Sequence, residues 1–360
     1  MLIVRGAIKD YDWGIVDGLQ KWCNRTTGAP QAELWFGVHP GGPSPVVDEH
    51  GEPTGELLAD RFDVEAIPLL VKLLAAARPL SVQLHPTRER AMAGWADQHR
   101  EGAPPVFSDP FEKTEMLVAL DPFEAFVGWR DMGEAVAMLK AIGGTDDAVA
   151  ALEAGDLGDG IRRLLALASD ERVAALPDAA AAAGLPPAQV EAYRTVAENY
   201  PGDPGGLLTP LLAYLELQPG QAVYVPAGLP HSYIRGTGLE VMTSSDNVIR
   251  LGLTSKPMFV DEAIEALVTG LQPQFMATEH GDLIWPIDSP FVVRVHRTGT
   301  ERIQHGSYRI VLLIEGEATV TSEFGEIVLS PGTAAVIASD DPDNYVTSNG
   351  LVAIIQSTER

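Results

Sequence analysis

The chain alternates between two kinds of hydrophobic pattern. Up to about residue 128, short apolar runs are broken repeatedly by glycine and proline, which is typical of β-strands joined by turns. Between about residues 131 and 200 the chain is rich in Ala, Leu and Glu with few internal breaks, which predicts helices. Short apolar runs separated by turns then return and continue to the C-terminus. The pattern therefore predicts a mainly β chain with an α-helical insertion.

The spacing of the turns suggests how the β regions are divided. In the final third, Glu-Gly, Phe-Gly and Pro-Gly turns recur roughly every eight to twelve residues, which is typical of a jelly-roll barrel. The segments QPGQAVYV and SPGTAAVI each join a Pro-Gly turn to a strand, which indicates two related barrels. We expect a first barrel in 1–130 and 204–265, a helical insertion in 131–203 and a C-terminal barrel in 266–360.

The segment PLSVQLHP has alternating polar and apolar positions. Neighbouring side chains of a strand point to opposite faces, so Ser81, Gln83 and His85 share one face and the two aliphatic side chains share the other. The aliphatic face is predicted to pack in a core. The polar face is predicted to line a site.

Two later segments offer side chains that could complete this site. In EKTEML, Lys113 and Glu115 share a face, and in GLPHSYI, His231 begins a strand. With Gln83 and His85, they supply two imidazoles, a carboxylate and an amide oxygen, which suits a divalent ion such as Zn²⁺. Because one ligand is charged, the ion would keep a net positive charge and act as a Lewis acid. Spacing alone leaves open that each histidine is only a hydrogen-bonded core or loop residue.

The segment LEVMTSSDNVIRLGLTSK carries a further group of charged side chains. Glu240, Asp246, Arg250 and Lys256 fall on or beyond predicted strands, and short strands of a jelly roll can direct such residues into one mouth. Arg250 and Lys256 equally fit a solvated barrel edge.

Composition restricts the class of partner. The chain has 360 residues, 46% of them hydrophobic, and no apolar run is long enough to span a bilayer, so no membrane partner is expected. A formal charge of −25 argues against nucleic acid, whereas a small anionic substrate requires only a local group of cations. The N-terminus has no signal-peptide pattern, so we expect a cytoplasmic protein. Cys23 is the single cysteine and offers neither a disulfide nor a cysteine-based metal site.

Five stretches, in the same order, resemble the type I phosphomannose isomerases: YDWG, AELWFGVHPGGPS, PLSVQLHPTRERA, KTEMLVALDPFEAFVGWR and VPAGLPHSYIRGTGLEVMTSSDNVIRLGLTSK. The resemblance implies a cupin fold, one Zn²⁺ per chain, and the interconversion of mannose 6-phosphate and fructose 6-phosphate. The partner would be a small-molecule sugar phosphate. The implied metal ligands are Gln83, His85, Glu115 and His231.

The resemblance also implies roles for the residues around the metal. The implied catalytic residues are Lys113, Glu240, Asp246 and Arg250, and the implied substrate-binding residues are Ser81, Lys256 and Glu112. Glu112 occupies the position of a family histidine that is sometimes assigned to ring opening. Either Glu112 takes over this proton transfer, as a carboxylate can, or Asp246 and water open the ring.

Three alternatives remain open on the sequence. An isomerase of a different sugar could use the same scaffold, because a fold does not determine the substrate. A non-enzymatic sugar-binding cupin would have no reason to keep these charged residues around the ion. An iron-dependent cupin dioxygenase usually has more histidines at its metal. His39 is expected to have a structural role, and Trp13 and Trp35 are expected to pack in the barrel.

Overall fold

The computed structural model describes residues 1–100, 104–167, 169–277 and 283–358. The strands of its first part are β1 (Leu2–Arg5), β2 (Ala7–Lys9), β3 (Ile15–Val16), β4 (Pro30–Gln31), β5 (Glu33–Phe36), β6 (Pro45–Val47), β7 (Pro53–Leu57), β8 (Leu69–Ala76), β9 (Val82–Leu84), β10 (Glu115–Ala119) and β11 (Phe123–Trp129). Those that follow the helical region are β12 (Leu212–Leu217), β13 (Gln221–Val225), β14 (His231–Thr243), β15 (Ile249–Gly252), β16 (Gln274–Ala277), β17 (Leu283–Ile284), β18 (Phe291–Ile303), β19 (Arg309–Glu315), β20 (Ala318–Ser322), β21 (Gly325–Leu329), β22 (Thr333–Ile337) and β23 (Asn344–Ser357).

The helices lie mainly between β11 and β12. The α-helices are α1 (Gln20–Cys23), α2 (Arg88–Gln98), α3 (Met132–Ile142), α4 (Asp146–Glu153), α5 (Leu157–Leu167), α6 (Asp170–Ala174), α7 (Leu176–Ala182), α8 (Pro187–Asn199) and α9 (Val260–Ala266). Short 3₁₀ helices cover Leu58–Asp60 and Pro204–Leu211. The predicted mainly β fold with a helical insertion is confirmed. Among these helices, none combines the length and the apolar composition that a bilayer crossing requires.

Two large antiparallel sheets form most of the β part of the described residues, and β3 and β4 form a separate two-stranded sheet. One sheet has the order β16-β13-β10-β14-β8-β5-β2, and β9, β11, β12 and β15 extend it. The other has the order β17-β18-β23-β19-β22-β1-β6-β7, and the hairpin β20-β21 joins it through β23. Buried side chains of both sheets, such as Phe36, Val71, Tyr224, Phe291 and Ile310, belong to one apolar cluster. The sheets therefore share a core, which makes β10 and β14 a rigid support for the site.

The N-terminal strand pairs with strands near the C-terminus. Leu2 lies opposite Val336, and β1 also pairs with β6. The second sheet is therefore built from both ends of the chain, while β16 belongs to the first sheet. The predicted domain bounds divide the sequence and not the sheets, and they remain a prediction.

The helical insertion packs on the back of the strand β9. Val82 and Leu84 are buried in an apolar cluster with α3, α4, α5, α7 and α8, to which α8 contributes Tyr193 and Val196. The predicted aliphatic face of PLSVQLHP is thus confirmed. Helix α2 was not predicted, since β structure was expected before residue 128. Its buried face consists only of Ala91 and Gly94, which gives little helical periodicity in the hydrophobic pattern.

Candidate metal centre and substrate cavity

The strand β9 lies at the centre of the site. Gln83 pairs with His231 of β14 on one side and with Arg250 of β15 on the other. Strand β10 also pairs with β14. Glu115 is the first residue of β10 and lies opposite Met242 of β14. The site residues therefore come from the ends of neighbouring strands, where a side chain can leave the core and face an opening.

Three buried side chains converge on one point. The Nε2 atom of His85 lies 3.2 Å from Oε1 of Glu115, and Nε2 of His231 lies 3.3 Å from Oε2 of the same carboxylate. One donor atom from each of the three residues lies within 4.8 Å of the others. Two nitrogen donors and a carboxylate at this separation match the ligands that Zn²⁺ takes in proteins.

The backbone fixes the orientation of both imidazoles. The Nδ1 atom of His85 is 2.7 Å from the carbonyl oxygen of Asn247, and Nδ1 of His231 is 3.2 Å from that of Leu229. Because a carbonyl only accepts, each Nδ1 carries the proton, so the neutral form of each ring has its lone pair on Nε2, the atom nearest Glu115. This is the tautomer that a metal ligand needs.

The protonation states of these groups also favour a cation. Burial lowers the pKa of His85 to about 4, so its imidazole is neutral at pH 7. Burial opposes ionisation of Glu115, but the Lys113 ammonium group, 3.0 Å from Oε1, helps to hold the pKa of this carboxyl below its ordinary value. Nε2 of His85 and Oε2 of Glu115 are buried without a hydrogen-bond partner. Such unpartnered buried atoms are costly, and a bound cation would satisfy both.

Gln83 lies next to this group with its amide nitrogen toward His231. Ser81 Oγ donates a hydrogen bond to Gln83 Oε1 at 2.8 Å, and Gln83 Nε2 lies 3.4 Å from His231 Nε2. A rotation of the amide that exchanges its oxygen and nitrogen would present the oxygen to a cation. The role of Gln83 as a fourth ligand remains a prediction.

A cavity of about 670 Å³ opens above the buried donors. This volume suits a small-molecule ligand. The structure brings together eight of the sequence-predicted site residues in its lining, which are Ser81, Gln83, Lys113, Glu115, Glu240, Asp246, Arg250 and Lys256. The cavity wall therefore carries residues of the proposed metal site together with the charged residues of the segment LEVMTSSDNVIRLGLTSK.

Glu112 is not brought into this lining. The lining includes its sequence neighbour Lys113 and, two positions further on, Glu115. Its carboxylate lies near Tyr224 and, after the larger effect of burial, helps to raise the pKa of that phenol. The role of Glu112 in substrate binding remains a prediction.

Sequence reasoning missed a buried charge cluster in the cavity wall. Lys72 Nζ lies 2.8 Å from Glu240 Oε2 and 3.5 Å from Glu33 Oε1. The indole of Trp35 donates to Glu33 Oε2 at 2.9 Å, so this ring serves the cluster as well as the packing. A lone lysine inside the apolar strand LLVKLLAA was the available signal, because lysine is almost never fully buried unless it is paired.

Burial and charge act in opposite directions within this cluster. Burial alone lowers the pKa of Lys72, but Glu240 and Glu33 outweigh it and raise the pKa above its ordinary value. Burial raises the pKa of Glu240, and Lys72 opposes this rise. Lys72 therefore offsets part of the cost of placing the Glu240 carboxylate in this buried position.

His39 lies behind Asp246 at the edge of the cavity. Its Nδ1 accepts a hydrogen bond from the Gly41 amide at 3.1 Å, and its Nε2 is 3.7 Å from Asp246 Oδ1. Burial lowers the pKa of His39, so the neutral ring presents an Nε2 proton to the carboxylate. The expected structural role of His39 thus includes a contact with a proposed catalytic residue.

An antiparallel β structure that places a buried His-Glu-His group beneath a charged cavity defines a metal-binding enzyme of the β-barrel class. Comparison with known proteins specifies the family. Residues 1–132 match the family model "Phosphomannose isomerase type I, catalytic domain". The chain is 31% identical to mannose-6-phosphate isomerase of Salmonella typhimurium over 96% of this chain and 97% of that protein. It is 31% identical to the Homo sapiens enzyme over 64% of this chain and 62% of the relative.

Comparison with solved structures points to the same family. A variant of phosphomannose isomerase from Salmonella typhimurium matches with a TM-score of 0.85 and 29% identity over the full length of both chains. A mannose 6-phosphate isomerase bound with zinc and yttrium matches with a TM-score of 0.82 and 29% identity, again over both full chains. The chain therefore belongs to the mannose-6-phosphate isomerase family, the type I phosphomannose isomerases, and the resemblance noted in its motifs is confirmed.

Proposed function

We propose that this chain is a zinc-dependent aldose–ketose isomerase that interconverts mannose 6-phosphate and fructose 6-phosphate through an enediol. The observation that carries the proposal is the buried His85–Glu115–His231 group beneath a cavity that holds both carboxylates and cations. Relatives over nearly the whole chain bear the name of this activity, and one structural neighbour is bound with zinc.

His85, Glu115 and His231 would hold one zinc ion per chain, with Gln83 as the fourth ligand. The unpartnered Nε2 of His85 and Oε2 of Glu115 support this assignment. A zinc ion held by these residues would supply a Lewis acid able to polarise an oxygen of the sugar. The remaining chemistry falls to the side chains of the cavity wall.

Isomerisation moves one proton between C2 and C1, so it requires a base at carbon and a positive charge where the enediolate oxygen develops. We assign the positive charge to Arg250, whose guanidinium is permanently charged and lines the cavity opposite Gln83. We assign the proton transfers to Lys113 or Glu240, acting with Asp246. Burial makes the Glu240 carboxylate more basic than an exposed one, and Lys113 Nζ lies 3.0 Å from Glu115 Oε1.

Ring opening falls to Asp246 and water in this proposal. The Asp246 carboxylate lines the cavity and has His39 behind it, whereas Glu112 lies outside the lining. Lys256 and Ser81 would bind the phosphate, with the ammonium group of Lys256 as the point charge. The cytoplasmic location and the expected lack of nucleic-acid and membrane partners remain predictions.

A coupled assay tests the function. Purified protein is given mannose 6-phosphate, and formation of fructose 6-phosphate is followed before chelation, after chelation and after zinc is restored. We expect activity that chelation abolishes and zinc restores. Glucose 6-phosphate serves as the comparison substrate, since a higher kcat/KM for it would favour the isomerase of a different sugar. Absence of turnover with both sugars in the zinc-loaded protein would favour a sugar-binding cupin.

A further inference from the structure

A short segment after β15 carries the lysine that is proposed to bind phosphate. Leu253, Thr254, Ser255 and Lys256 all line the cavity. Leu253 is buried and has a positive φ of 53°, a backbone conformation that is costly for a leucine. Surrounding contacts must therefore hold the segment in this shape.

The carboxylate of Asp203 provides those contacts from the end of the helical insertion. Asp203 Oδ1 accepts hydrogen bonds from the Leu253 amide at 2.6 Å and the Gly205 amide at 2.8 Å. Asp203 Oδ2 accepts from the Thr254 amide at 3.2 Å. One carboxylate thus joins the start of the 3₁₀ helix Pro204–Leu211 to two successive amides of the cavity segment. Hydrogen bonds to a charged acceptor are stronger than neutral ones.

The connection continues from Asp203 to Lys256. Thr254 Oγ1 accepts a hydrogen bond from the Lys256 amide at 3.0 Å. The backbone of the 3₁₀ helix at Gly205 also contacts the backbone at Gly252 directly, since a Cβ added to Gly252 would lie 2.2 Å from the Cα of Gly205. Glycine at both positions permits this close approach. The insertion and the Lys256 segment are therefore joined by a close backbone contact and by the Asp203 carboxylate.

We propose that Asp203 is a positioning residue that holds Lys256 in place for the phosphate group of the substrate. The inference rests on the proposed function, because it takes Lys256 as the phosphate ligand. It gives the helical insertion a role in substrate recognition. Without the Asp203 charge, the 253–256 segment relaxes from its strained conformation, and the ammonium group of Lys256 samples positions away from the phosphate.

The test compares two variants. Asp203→Asn keeps the size of the side chain but loses its charge, and Asp131→Asn is the matched control. Asp131 begins α3 and accepts from the Glu134 amide at 3.1 Å, so its loss weakens the same insertion without touching the 253–256 segment. We expect Asp203→Asn to raise KM for mannose 6-phosphate about tenfold, as the loss of one charge-assisted hydrogen bond predicts, with kcat nearly unchanged. Asp131→Asn should leave KM unchanged.

Two further measurements separate positioning from general destabilisation. In a Lys256→Ala background, Asp203→Asn should add little to KM, because both changes remove the same interaction. Amide hydrogen exchange of residues 252–256 should increase in Asp203→Asn and not in Asp131→Asn. Additive effects of Asp203→Asn and Lys256→Ala on KM, or unchanged exchange in Asp203→Asn, would overturn the inference.

The affinity for inorganic phosphate, measured by calorimetry, does not depend on turnover. If the wild-type chain binds phosphate but does not isomerise the sugar, the proposed function fails while a weaker phosphate affinity in Asp203→Asn still supports the inference. Equal phosphate affinities of the wild type and Asp203→Asn would overturn it. Failure of the wild-type protein to bind phosphate would also overturn it.

Discussion

Replacing Lys72 with methionine removes the cation that lies between two buried carboxylates in the cavity wall. The Lys72 ammonium group is 2.8 Å from Glu240 and 3.5 Å from Glu33, and the three side chains are at most 8% exposed. Methionine has a similar length and no charge, so the substitution isolates the electrostatic contribution. Removal of one partner from a buried ion pair costs about 3 to 5 kcal/mol in the free energy of unfolding. We expect about 3 kcal/mol here, because the neighbouring cavity gives the carboxylates some access to water.

The loss should depend on pH with a definite sign. Burial already raises the pKa of Glu240, and loss of Lys72 raises it further. A carboxyl whose folded pKa lies above its unfolded pKa binds more protons in the folded state, so stability falls as pH rises through this window. Each unit of added pKa shift corresponds to about 1.4 kcal/mol. The destabilisation should therefore be full at pH 8 and at least about 1 kcal/mol smaller at pH 5.

Urea unfolding of the wild type, Lys72→Met and Lys72→Met/Glu240→Gln at both pH values measures these free energies. The double variant removes a carboxylate together with the cation, so it should recover most of the loss at pH 8. Equal stability of Lys72→Met and the wild type at pH 8, or a loss that is the same at pH 5, would refute the assignment of Lys72 as the balancing charge.

Three further substitutions test other parts of the site. Arg250→Ala should lower kcat about 10²- to 10³-fold, while metal analysis still finds one zinc per chain; an unchanged kcat would remove Arg250 from catalysis. Asn247→Ala should weaken zinc binding about 10- to 100-fold in a chelator competition. The Asn247 side-chain amide donates hydrogen bonds to the carbonyls of Asp109 and Phe111, and losing them loosens the Asn247 backbone carbonyl that orients His85. Unchanged zinc affinity would contradict this role. Glu112→Gln should leave kcat within about twofold, whereas Asp246→Asn should lower it at least about tenfold; the reverse order would assign ring opening to Glu112.

The sequence predicts the local part of the site well because strand alternation is a local property. In PLSVQLHP, the alternation placed Val82 and Leu84 in the core and Ser81 and Gln83 at the cavity, as the structure has them. The helical insertion was equally visible, since its periodicity and its composition agree. Strand patterns also selected Glu115 and His231 as candidates, and the family resemblance strengthened their assignment to the same site.

Interactions between distant parts of the chain could not be predicted in this way. The ion pair of Lys72 with Glu240 joins residues separated by 168 positions, and the strand register that aligns them leaves no mark in either segment. The pairing of β1 with β22 is equally non-local. The hydrogen bonds of Asp203 to Leu253 and Thr254 join the insertion to a loop that the hydrophobic pattern does not describe.

Anomalous diffraction at the zinc absorption edge tests the metal centre most directly. Crystals of the zinc-loaded protein are measured on both sides of the edge, so that the difference map locates zinc independently of the refined coordinates. The account predicts one strong peak per chain at about 2.0 to 2.1 Å from Nε2 of His85 and of His231, with the Glu115 carboxylate at about the same distance. A peak elsewhere, or well-ordered density in which these three side chains point apart with no peak between them, would contradict it.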